Sequence, residues 1–195
     1  MRVLVACEFS GAVRDAFIAR GHEAMSCDLL EAETPGPHYC GDVRDVLDNG
    51  WDLMVAHPPC TYLAVSGLHW NKRKPGRAAL TEEALQFVWL LLDAPIAKIA
   101  LENPIWRISS RIRKPDQIIH PWQFGHDASK ATCLWLKGLP LLQPTDVLPG
   151  GRSARRANQT ASGQNKLPPS PDRWKLRSLT YPGIANAMAE QWGTR

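Results

Sequence analysis

The chain has 195 residues, 44% of them hydrophobic and 22% charged, with 23 Lys and Arg against 19 Asp and Glu. A chain of this size buries roughly 70% of its unfolded surface, and the balance excludes a disordered protein or a coiled coil. The longest apolar run, Phe87 to Leu92, falls short of the roughly 18 residues a membrane span needs, and the acid at Glu8 comes too early for a secretory leader.

The first element predicted is a buried strand from Val3 to Cys7. Ser10 then stands as an N-cap before Ala12, Val13, Ala16 and Phe17, whose spacing is helical until Gly21 ends it. Glu23 to Asp28 reads as a second strand and Asp52 to His57 as a clear one. Thr81 to Asp93 reads as a helix with Glu82 and Glu83 in its first turn. Ile96 to Leu101 and Ala131 to Lys137 are further strands, and Pro182 opens a helix that runs to Trp192, with Gly193 after it. Strands separated by helices predict an α/β fold, a doubly wound and mostly parallel sheet. Between Gly138 and Thr180 prolines, glycines, serines and bases leave no period, so one domain over residues 1–195 carrying a long basic loop is expected.

Charge is graded along the chain. Residues 1–50 hold four bases and nine acids, residues 51–150 eleven and eight, and residues 151–195 eight and two. A basic C-terminal third, with Lys72, Arg73, Lys74 and Arg77 as a second cluster, points to a polyanionic partner. Cysteines 7, 27, 40, 60 and 133 contain no C-x-x-C pair, and His38 with Cys40 gives two ligands where a tetrahedral site needs four. A cytoplasmic protein without a disulfide framework or a metal is expected.

In an open parallel sheet, ligands bind at the carboxyl ends of the strands. Here those ends carry Glu8-Phe9-Ser10-Gly11, Cys27-Asp28, Gly41-Asp42, His57-Pro58-Pro59-Cys60 and Glu102-Asn103-Pro104. Asp28, twenty residues after Glu8, has the position at which an acid grips ribose hydroxyls. The first turn has a single glycine where a pyrophosphate cradle wants three, which favours an adenosyl cofactor over a dinucleotide.

The run Ala56-His57-Pro58-Pro59-Cys60-Thr61-Tyr62-Leu63-Ala64-Val65-Ser66-Gly67 after one strand, with Glu102-Asn103-Pro104 after the next, resembles the DNA (cytosine-5) methyltransferases in order and separation. The resemblance implies a class I methyltransferase fold and S-adenosylmethionine as cofactor. It gives Cys60 the role of nucleophile toward carbon 6 of cytosine, and Glu102 that of the carboxyl group that stabilises the adduct. Phe9-Ser10-Gly11 is similar to the family's cofactor turn, with two glycines missing. Glu8, Phe9, Gly11, Asp28, Asp42 and Pro58 are then the expected cofactor contacts. Phe124-Gly125, Lys130 and Thr132 to Leu136 are similar to the Gln-x-Arg-x-Arg motif without its glutamine and arginines, so Lys130 is a candidate contact to the target base. Tyr181 to Ala187 resembles the C-terminal motif whose helix packs by the cofactor.

Only the stretch from Gly138 to Thr180 stands where the family carries a large target-recognition domain, as in a short, phage-type member. DNA is the implied partner, with the cytosine flipped out or unpaired. Lys72, Arg73, Lys74, Lys130, Arg152, Arg155 and Arg156 are its expected contacts, together with Lys166, Arg173, Lys175 and Arg177; Trp70 and Trp174 are candidates to stack on bases. Two alternatives stand beside this reading: methylation of a free cytosine nucleotide, and a catalytically silent nucleic-acid-binding relative.

Overall fold

The computed structural model describes residues 1–64 and 73–194. Seven strands form one sheet: β1 (Arg2–Ala6), β2 (Glu23–Asp28), β3 (His38–Cys40), β4 (Leu53–Ala56), β5 (Lys98–Pro104), β6 (Gln117–Ile119) and β7 (Thr132–Lys137). Their order is β3-β2-β1-β4-β5-β7-β6. Pairing is parallel from β3 to β5, whereas β7 runs antiparallel to both β5 and β6. This is a Rossmann-like α/β sheet, and the crevice where strand order reverses lies beyond the ends of β1 and β4.

Why the strands carry no polar face is plain from their two-residue alternation. Val3 and Val5 join Val13 and Phe17 of α1 (Ala12–Ile18) and Ile184, Met188 and Trp192 of α5 (Pro182–Trp192) in one core. Leu4 and Ala6 join Leu85, Val88 and Leu91 of α2 (Arg77–Leu92) in the other. Both sides of a parallel sheet are thereby covered, which is what its apolar strands demand. The two large buried indoles find acceptors: Trp135 Nε1 donates to Arg113 O at 2.8 Å and Trp192 Nε1 to Pro140 O at 3.0 Å.

Several elements differ from the sequence reading. Helix α2 begins at Arg77 behind Gly76, whose φ is 77°, so Glu82 and Glu83 lie in its second turn. Gly11, at φ 77°, and not Ser10, precedes α1. Strands β3 and β6 and a short helix α3 (Arg107–Arg111) occupy segments without enough periodicity to announce themselves. The basic stretch after Gly138 contains a 3-10 turn at Gly151–Ser153 and a further short helix, α4 (Arg173–Ser178). Among the described residues no helix is long and apolar enough to cross a membrane.

Candidate active site

The turn after β1 is built around a buried carboxylate. Cys7 leaves the strand at φ 59°, and Glu8 folds back so that Oε1 accepts from Val13 N at 2.8 Å and from Ser10 Oγ at 3.2 Å, while Oε2 accepts from Arg14 N at 3.3 Å. Glu8 therefore satisfies the free amides at the N-terminus of α1 and brings negative charge to its positive end. Gly11 is required by the chain itself: a Cβ there would meet Thr34 Oγ1 at 2.2 Å and Arg14 Nη2 at 2.5 Å. The fully buried Arg14 guanidinium clamps the loop after β2, donating to Ser26 Oγ at 3.1 Å, Thr34 Oγ1 at 2.6 Å and Pro35 O at 3.2 Å.

The loop after β4 is fixed at several points. His57 N donates to Ala6 O at 2.9 Å, and Leu63 and Ala64 amides turn back onto Cys60 O at 3.0 and 2.9 Å. Arg77 holds the far side, donating to Thr61 O at 3.0 Å and lying 4.8 Å over the Tyr62 ring. The loop after β5 holds the near side: buried Asn103 donates through Nδ2 to Pro58 O at 2.7 Å, Arg107 N donates to Leu63 O at 3.2 Å, and Ala64 bridges Trp106. The two sequence motifs are thus one structural unit.

At its centre, His57 Nδ1 donates to Glu102 Oε2 at 2.8 Å. Both side chains are nearly buried, 11% and 13% exposed. Burial by itself raises a carboxyl pKa, but Lys130, the His57 hydrogen bond and the Thr132 hydroxyl outweigh it and bring Glu102 down to about 2. Glu102 is a carboxylate at every physiological pH. The Cys60 thiol is pushed up by the enclosing walls of the cleft and by Glu102, and pulled back by Arg177 and Lys130.

These groups line one open cleft of about 600 Å³ at the strand ends. Cys7 to Ser10, His57 to Cys60 and Glu102 to Pro104 form its floor; Lys130 and the segment from Arg177 to Thr180 form its wall. Helix α4 is laid across the entrance, with Trp174 against Phe9 (centroids 6.0 Å apart) and Lys175 paired with Glu33. A smaller space behind Glu102 is bounded by Thr132 and by Tyr181, Ile184 and Met188 at the start of α5.

The structure brings Cys60, Glu102, Glu8, Phe9, Pro58 and Lys130 to that cleft. Asp28 sits at the end of β2, half-buried, with its pKa raised by burial against the pull of the Leu30 amide, which donates to Oδ1 at 3.0 Å. It faces Cys7, whose thiol is raised by burial and by Asp28. Asp42 is lowered mainly by the Arg44 amide, and its two oxygens are taken up by that amide and by the Arg44 guanidinium.

The basic residues divide. Arg73, Lys74, Arg152 and Arg155 are exposed, and Lys72 and Trp70 lie outside the described residues. Arg156 corrects the expectation of a phosphate contact. It is 5% exposed, lies 5.3 Å over the Trp122 ring and donates to Gly151 O at 2.8 Å, so its guanidinium is committed inside the chain. Lys130 Nζ donates to Leu179 O at 3.2 Å, which ties together the two parts of the cleft wall. His57, Thr132 and Arg177 are partners of Cys60 and Glu102 that the sequence reading does not name as such. The signal for His57 is its position one residue beyond Ala56, which pairs in register with Leu101, the neighbour of Glu102.

No family model matches the chain, and no curated protein matches it. Among solved structures it is similar to the Dnmt2 methyltransferase of S. pombe, with 16% sequence identity and a TM-score of 0.43 over 72% of this chain. The match covers 50% of that protein, so the chain spans about half its length.

Proposed function

We propose that this chain methylates carbon 5 of cytosine in DNA, with S-adenosylmethionine as methyl donor and Cys60 as the nucleophile that activates the ring. The observation that carries the reading is the meeting of Cys60 and Glu102, from neighbouring strand ends, in one cleft with two cations at its wall.

The residues present fit the cofactor. Asn103 Oδ1 is buried, lines the cleft and has no hydrogen-bond partner among the described residues, which leaves an acceptor for a donor group on a bound molecule. Glu8, Phe9, Gly11 and Pro58 would border the methionine part, and Asp28 and Asp42 the ribose and adenine. When bound, S-adenosylmethionine supplies an electrophilic methyl group.

The chain's own residues prepare the base. Carbon 5 of cytosine is a weak nucleophile until a thiolate adds to carbon 6, which turns the ring into an enamine. Cys60 loses its proton, helped by Lys130 and Arg177, and its sulfur forms the bond to carbon 6. Glu102 accepts a hydrogen bond from the exocyclic amine and, once ring nitrogen 3 takes up a proton from solvent as the thiolate adds, from that N–H as well, and it does so more strongly as the base excludes water. After methylation the carbon-5 proton is lost and the carbon–sulfur bond breaks, which restores the thiolate. A stacked base offers no access to carbon 6, so the cytosine is extruded or already unpaired. Exposed Arg73, Arg152 and Arg155 and the cleft-wall Arg177 supply phosphate contacts.

The test is an oligonucleotide carrying 5-fluorocytosine. Fluorine at carbon 5 blocks the final elimination, so a covalent protein–DNA species should accumulate, require S-adenosylmethionine and vanish in Cys60→Ser. An adduct on another cysteine, or methylation by Cys60→Ala, refutes the mechanism.

A further inference from the structure

His57 and Glu102 stand 45 residues apart in sequence, yet the pairing of two inner strands, β4 and β5, brings them into contact. Strands β4 and β5 pair in parallel, Val55 with Ala100 and Ala56 with Leu101, so the next residue on each strand falls side by side. The backbone of His57 is also held to β1 through Ala6 O at 2.9 Å. A carboxylate only accepts hydrogen bonds, so Nδ1 of the ring carries the proton at the 2.8 Å contact with Oε2. The other ring nitrogen, Nε2, is buried and has no partner among the described residues. A histidine with one buried nitrogen unsatisfied, and the other aimed at a single oxygen, is costly unless that one bond matters.

From this we infer that His57 is a positioning residue for Glu102: its Nδ1–H pins one carboxylate oxygen to the sheet, so that the carboxylate meets the target ring in a single orientation. This rests on the methyl-transfer reading above. Thr132, on β7 in register with Pro104 of β5, and Lys130 hold the carboxylate from the β7 side, and His57 holds it from the β4 side. Lys130 reaches the site on a long side chain and gives its hydrogen bond to Leu179 O. His57 is the donor that reaches Oε2 from the β4 side, at 2.8 Å. A freely rotating carboxylate loses the geometry on which transition-state hydrogen bonds depend, whereas substrate affinity, spread over many phosphate contacts, changes little.

Three variants test the inference. His57→Asn keeps an N–H at the place of Nδ1 and His57→Leu removes it; Glu102→Gln supplies the background for a double-mutant cycle. His57→Leu should lower kcat about tenfold to a hundredfold with DNA affinity and KM nearly unchanged. His57→Asn should recover most of the loss. In the Glu102→Gln background, His57→Leu should have little further effect, because a residue that acts through Glu102 has nothing left to orient.

Nitrogen-15 NMR of the resting protein should show the Nδ1-protonated tautomer of His57, replaced by a tautomer mixture in Glu102→Gln. Equal impairment by His57→Asn and His57→Leu, additive losses in the cycle, or an Nε2-protonated ring in the parent protein would each overturn the assignment. If the unmodified chain forms no adduct with 5-fluorocytosine DNA, the methyl-transfer reading falls and the catalytic half of this inference falls with it. The tautomer measurement then still decides whether the hydrogen bond exists.

Discussion

Replacing Gly183 by alanine sets helix propensity directly against packing. Gly183 is the second residue of α5, where an alanine is favoured over glycine by up to about 1 kcal/mol on propensity alone. The structure predicts the opposite sign. A Cβ at this position would lie 2.0 Å from Phe124 O and 2.9 Å from His126 Nε2, against 3.4 Å or more for an ordinary contact. Neither neighbour yields easily: Phe124 is buried, and His126 Nε2 accepts from Gly183 N at 2.9 Å.

Helix α5 must therefore move, and with it Ile184 and Met188, which belong both to the core beneath β1 and to the wall behind Glu102. Overpacking costs about 1–3 kcal/mol, and a clash this short with a backbone oxygen falls in the upper part of that range, about 2–3, so after the propensity gain a net loss of about 1–2 kcal/mol is expected. That corresponds to a fall in Tm of about 2–4 °C per kcal/mol for a chain of this length. Urea denaturation at constant slope measures it. Gly21→Ala is the control: its φ is 79° but no atom lies within 4 Å of the added Cβ, so it should cost about 1 kcal/mol through the dihedral alone and leave methyl transfer intact. Gly183→Ala should lower methyl transfer as well. A Gly183→Ala protein as stable as its parent, or more so, would refute the packing argument.

Alkylation of Cys60 by iodoacetamide should rise steeply through the alkaline range, since burial and Glu102 hold the thiol up; Glu102→Gln should move the curve to lower pH and Lys130→Met to higher pH. A curve indifferent to Glu102→Gln would contradict the electrostatics of the cleft. Loss of the Asp28 carboxylate in Asp28→Ala should weaken S-adenosylmethionine binding by about 1.5–3 kcal/mol in calorimetry, and unchanged affinity would remove Asp28 from the cofactor site. DNA affinity should fall with salt at a log–log slope of roughly −0.9 per phosphate, flattened by Arg152→Gln and Arg155→Gln. Arg156→Gln should instead lower stability, because it strips the partner from Trp122 and the Gly151 carbonyl; a changed salt slope with stability intact would show that Arg156 is available to phosphate.

Much of this chain is decided locally. The runs that became β1, β2, β4, β5 and β7 are apolar because both faces of each strand are covered, and such runs are visible without knowing what covers them. Pro182 and Gly193 mark α5 because proline suits the first helical position and glycine suits the end. Cys60 stands out in the turn after one such run and Glu102 as the acid that ends the apolar part of the next.

What tertiary structure alone decided are the relations between segments. Strands β3 and β6 are three residues each and exist through pairing with longer neighbours, and the reversed direction of β7 has no local signature at all. Arg155 and Arg156 are adjacent and chemically identical, yet one is exposed and the other is buried against Trp122. Glu8 lines the cleft, and its carboxylate also caps α1, a second role that no local signal announces. The His57–Glu102 bond depends on the register of two strands, and register is set by the whole sheet. A side chain's chemistry is written in its residue type, whereas what that chemistry meets depends on which distant segment the fold carries to within hydrogen-bonding reach.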